Sequence, residues 1–153
     1  MKDRKKATFV YEGLGFPVLL IDVPMKKVFG EWAIDVGLNR LQLAALHLLL
    51  RKRAALTGDE IRFIRKFLEM STTEFGDTFG VSHVAVVKWE NEQMRMNPGM
   101  EVYIRLHMWN HLRLKDKEFR KFYNEMDIHC LGESPKKKAP PLSIDRKALN
   151  AVS

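Results

Sequence analysis

The stretch that decides the fold is Ser71–Asn91, STTEFGDTFGVSHVAVVKWEN. Ser71 has the side chain of a helix N-cap, and Glu74 three residues later completes a capping box, so a helix is expected from Thr72. Gly80 should end it, because a residue without a Cβ enters the left-handed backbone region at no steric cost. Ser82 supplies the next N-cap, and a second helix is expected over His83 to Glu90. Two short helices joined by so tight a turn make a helix-turn-helix.

The apolar residues of the stretch fall on one side. Phe75, Phe79, Val81, Val86 and Trp89 recur at spacings that bury a single face, and Gly76 leaves room where the helices approach. That places His83, Val84, Val87 and Lys88 on the outward side of the second helix, opposite Val86 and Trp89. A helix presented in this way suits the major groove of DNA, and these four are the candidate base-reading residues. An ordinary helical hairpin would show the same alternation, and helix-turn-helix folds also serve protein contacts.

Upstream, Leu56–Ser71 reads LTGDEIRFIRKFLEMS, in which Thr57 and Glu60 form a second capping box ahead of an amphipathic run. This helix and the run GVSHVAVVKWEN resemble the lambda-repressor-like, or XRE-type, DNA-binding domains. The resemblance implies an ion pair between Arg65 and Glu90, structural in role, and backbone-phosphate positions at Thr72 and Asn91. Ser82 and Arg95 join the phosphate candidates because amides at a helix start and exposed cations both attract anions. Capping alone is the competing role for Ser82, as it is for Ser71. Lys66 is a further candidate for nonspecific attraction.

A wider resemblance takes in residues 9 to 109. The segment YEGLGFPVLLIDVPMKKVFGE, a leucine-rich helix, LTGDEIRFIRKFL and the XRE-like motif follow one another as in MqsA or YgiT-type antitoxins. Those proteins carry zinc-ribbon cysteine pairs where this chain reads Val23 to Trp32, without a cysteine. The single thiol, Cys130, cannot supply the four donors of a tetrahedral zinc site, so no metal and no cofactor are expected. His107 and His111 have ligand spacing on a predicted helix but no third donor nearby, and read as surface or core histidines. The resemblance implies a homodimeric, autoregulating repressor of a palindromic operator that also neutralises a toxin protein. A stand-alone repressor of a mobile element is the alternative.

Charge agrees with a polyanionic partner without requiring one. The 153 residues carry a formal net charge of +7, with basic runs in MKDRKK and in ESPKKKAPP. One cysteine excludes an intramolecular disulfide and fits a reducing cytoplasm. The apolar run Leu41 to Leu50 is too short to span a membrane, and TFVYEGLGF lacks the sustained apolar core of a secretory signal. No phosphate-cradling glycine loop, nucleophile elbow or metal set suggests an enzyme.

The expected architecture is α+β, with a small N-terminal antiparallel sheet followed by a mainly helical lambda-repressor-like domain. Short strands are expected at Thr8 to Tyr11, Phe16 to Asp22, Lys26 to Phe29 and Trp32 to Val36, punctuated by Gly13, Gly15, Pro24 and Gly30. Residues 1–37 form the β-rich segment, 38–55 a connecting helix, 56–128 the helix-turn-helix domain and 129–153 a flexible basic tail. Asn97 followed by Pro98 predicts another helix start, and Asp116 to Met126 a last helix in that domain. Within the tail, Ile144 to Val152 is a candidate helix for docking on a partner.

Overall fold

The computed structural model of the chain describes residues 7–113, 116–125 and 141–152. They form a mixed α+β protein of two compact units, one made of the described residues up to Leu48 together with those from 141 onward, the other of the described residues from Leu49 to Glu125.

In the first unit, β1 (Thr8–Tyr11) runs antiparallel to β2 (Val18–Ile21), with Thr8 opposite Ile21 and Tyr11 opposite Val18. Alternation along β2 buries Val18 and Leu20 completely. A separate hairpin joins β3 (Met25–Val28) to β4 (Glu31–Ile34) through a two-residue turn of Phe29 and Gly30. Both turn residues have positive φ, 51° and 81°, as a type I′ hairpin turn requires. Phe29 therefore sits fully exposed in a conformation that bulky residues rarely adopt.

Two expectations need correction here. The strands do not make one antiparallel sheet: β3 and β4 pair only with each other, and the other sheet has the order β1-β2-β5, with β5 (Leu142–Asp145) parallel to β2. Nor is the end of the chain a flexible tail over its described part. Leu142–Asp145 pairs residue for residue with Val18–Ile21, and Asp145 caps a short helix, α7 (Arg146–Asn150), by accepting from Ala148 N–H at 2.8 Å. Ile144 and Leu149 are buried, and Arg40 donates to Leu149 O at 3.2 Å and to Asn150 Oδ1 at 3.0 Å. The physical reason is the free edge of β2, whose unpaired amides and carbonyls are satisfied by a strand supplied from more than 120 residues away. The segment expected to dock on a partner is thus used inside its own unit. Residues 126–140, including Cys130 and the first part of the expected tail, lie outside the described residues.

Helix α1 (Leu38–Leu50) buries Leu41, Ala44, Ala45 and Leu46 in the first unit. The second unit holds α2 (Gly58–Phe67), α3 (Thr72–Phe79), α4 (His83–Glu90), α5 (Pro98–His111) and α6 (Asp116–Glu125). Local chemistry sets the starts of α2 and α5. The Thr57–Glu60 capping box opens α2, and Asn97 accepts from Gly99 N–H at 2.7 Å with Pro98 in the first helical position of α5.

Below these helices lies an ion pair that the sequence does not announce. Arg105 is fully buried and donates to the carbonyls of Leu49, Leu50, Lys52 and Ala54, which the end of α1 and the following turn leave without helical partners. Its other partner is Glu101, 3.1 Å away and one helical turn earlier, which also accepts from the Leu56 amide. Burial pushes the Glu101 carboxyl above the ordinary carboxylate range, against the pull of Arg105, the Leu56 amide and Lys52. No described helix is long and apolar enough to cross a membrane.

Candidate nucleic-acid interface

The candidate interface is built on α3, the turn after it and α4. Ser71 Oγ accepts from Glu74 N–H at 3.1 Å and starts α3 at Thr72. The reciprocal half of the expected capping box, from the Glu74 carboxylate, is not made. Gly80 ends the helix at φ 72°, its amide and that of Val81 both turned back to Gly76 O. Ser82 Oγ then accepts from Ala85 N–H at 3.2 Å, and α4 begins at His83.

Gly76 is where the turn folds closest onto α3. A Cβ there would stand 2.6 Å from Val81 O, so no larger residue fits without moving backbone. Phe75, Phe79, Val86 and Trp89 are buried, with Val81 half-buried. The Phe75 and Phe79 rings lie 4.7 Å apart, and Phe79 also meets Tyr103 and His107 of α5 edge to face at 5.4 and 5.1 Å. His107 is therefore part of the aromatic packing under α3, and burial, with His111 adding to it, holds its imidazole below the ordinary histidine value. His111 sits edge-on to Phe67 at 6.5 Å. Among the described residues no cluster of three or more His, Cys, Asp or Glu could hold a metal ion.

All four candidate base-reading residues, His83, Val84, Val87 and Lys88, are exposed on α4. At 3.6 residues per turn they share an arc of roughly 140°, ordered His83, Val87, Val84, Lys88 across the face. The two valines, 47% and 38% exposed, thus occupy its middle, with the imidazole and the ammonium group at its edges.

The far end of α4 is held by charge. Glu90, nearly fully buried, accepts from Arg65 Nη2 at 2.8 Å and Arg65 Nε at 3.0 Å, so the pair expected from the sequence is formed side-on through both carboxylate oxygens. Arg62 was not anticipated. It reaches Glu90 at 3.2 Å, Asp59 at 3.2 Å and Asn91 Oδ1 at 3.2 Å, tying the start of α2 to the end of α4. The spacing of Arg62 and Arg65, three apart on one helix, was the available signal. Gly58 was also missed: a Cβ there would lie 2.2 Å from Glu90 O, and its amide donates to Glu92 Oε1 at 3.2 Å.

The phosphate candidates are less uniform. Thr72 is half-buried in the first turn of α3, where amides have no helical partner. Ser82 is engaged as a cap, Asn91 is the exposed C-cap of α4 with its side-chain oxygen taken by Arg62, and Arg95 is exposed in the segment before α5.

Comparison of the chain with family models, with curated proteins and with solved structures finds no match.

Proposed function

We propose that the chain is a sequence-specific transcriptional repressor that binds double-stranded DNA through a lambda-repressor-like helix-turn-helix made of α3 and α4. One observation carries the reading. Helix α4 buries Val86, Trp89 and Glu90 while offering His83, Val84, Val87 and Lys88 to solvent, the division a major-groove helix needs. The net charge of +7 favours attraction to a polyanion, Lys88 is an exposed cation on that face, and Arg95 is exposed in the segment after α4. Binding as a homodimer to a palindrome, with half-sites about one helical turn apart, follows from the XRE-type resemblance.

Selection of duplexes from a random pool by the full chain, followed by footprinting, tests it. Enrichment of an inverted repeat whose major grooves are protected supports the reading, and retention of no preferred sequence overturns it.

A second role, as the antitoxin of a toxin–antitoxin pair, is favoured by the first unit being compact in itself and ending its β3–β4 hairpin on the fully exposed Phe29. Co-expression with the neighbouring open reading frame tests this separately. If the neighbour is harmless alone, or stays toxic beside this chain, the protein is a stand-alone repressor.

A further inference from the structure

The middle of the exposed face of α4 contains no hydrogen-bonding side chain. Val84 and Val87 fill it, and together they are the only large exposed hydrophobic residues on that helix among the described residues. A valine side chain cannot satisfy the donors and acceptors on base edges. In the major groove it has one favourable counterpart, the C5-methyl group of thymine. Both valines are β-branched and held in a helix, where χ1 has essentially one populated state, so their methyl groups are presented rigidly. Neither is covered by another described side chain to the degree that Val86 is, which is fully buried on the opposite side.

We infer that Val84 and Val87 read thymine methyl groups, so that the preferred duplex carries thymines at the centre of each half-site; the inference rests on the DNA-binding reading above. Spacing narrows it further. Side chains three apart on a helix stand about 5–6 Å from one another, and base pairs rise by about 3.4 Å. The two methyl groups therefore belong to adjacent base pairs or to pairs separated by one. His83 and Lys88, at the edges of the same arc, supply polar contacts on either side, with Lys88 suited to the acceptor edge of guanine. A second copy of the chain seated on the two valines is the competing occupant. The exposed Lys88 at the edge of the same arc and the net charge of +7 favour DNA instead.

The experiment uses the full chain and the best duplex from the random pool, with each thymine replaced in turn by deoxyuridine, which removes only the methyl group. Losing one buried methyl should weaken binding about threefold to fivefold. This is expected at two positions per half-site, no more than two base pairs apart, and at no others. Val84→Ala should abolish the penalty at one position and Val87→Ala at the other; both sites are exposed and alanine favours the helix, so the fold is kept. If every uracil duplex binds as tightly as its thymine parent, the methyl-reading inference falls and DNA binding stands. If the penalties persist unchanged in both alanine variants, other residues read the methyl groups and the inference also falls. If no duplex is retained and the valine variants instead lose self-association, the two valines face a second copy, and both this inference and the proposed function fail.

Discussion

Glu90, the last residue of α4, receives two hydrogen bonds from Arg65 of α2, at 2.8 and 3.0 Å, and is only 5% exposed. A buried carboxylate held this way is weak evidence of net stability, but removing one partner strands the other charge. Glu90→Ala is expected to cost about 3–5 kcal/mol of unfolding free energy in chemical denaturation. Arg62→Ala should cost under about 1 kcal/mol, because its side chain is 36% exposed and its pairs are screened by water. Equal losses in the two variants would contradict this division.

Gly76 and Gly80 are both required, for different reasons. Gly76→Ala drives a methyl group toward Val81 O and should destabilise by about 1–3 kcal/mol. Gly80→Ala meets nothing within 4 Å and bears only the left-handed conformation, about 1 kcal/mol. Thermal unfolding of the two variants should rank them in that order.

Ile144 and Leu149 are as buried as any residue of β2. Replacing either by alanine should cost about 2–5 kcal/mol. A chain cut before Leu142 exposes an edge of β2 and should self-associate, which light scattering would detect. Unchanged stability in both alanine variants would mean that residues 142–150 do not complete the first unit.

Glu101 sets a pH dependence. Its folded-state carboxyl lies above the unfolded value of 4.5, so the folded chain binds the proton more tightly. The stability this contributes is fully present below the unfolded value and is lost as pH rises through the raised one. The advantage of the natural chain over Glu101→Gln should therefore be largest in acid and narrow as pH rises. An advantage that widens over the same range would show that Arg105 outweighs burial.

How far these features were legible follows from their range along the chain. Ser71, Gly80 and Ser82 act on amides and carbonyls within four residues, so the bounds of α3 and α4 could be read from local chemistry. The pairing of Arg65 with Glu90 was legible only through a resemblance, since nothing local links positions 25 apart. Strand β5 was missed because Leu-Ser-Ile-Asp sits in proline- and lysine-rich surroundings and gains its meaning from the distant edge of β2. Arg105 was equally silent: within EVYIRLHMWNH it looks like a solvated charge, and only the carbonyls gathered around it explain its burial.

The proposed function stands or falls on the exposed face of α4, and Val87→Glu addresses that face directly. Val87 is 38% exposed, so a glutamate there should leave the thermal midpoint within a degree or two of the natural chain. Titrating both chains against the selected duplex at fixed salt should show the variant binding at least about a hundredfold more weakly, since a carboxylate would face the phosphate-lined groove. Undiminished affinity in a variant that remains folded would contradict DNA reading by α4.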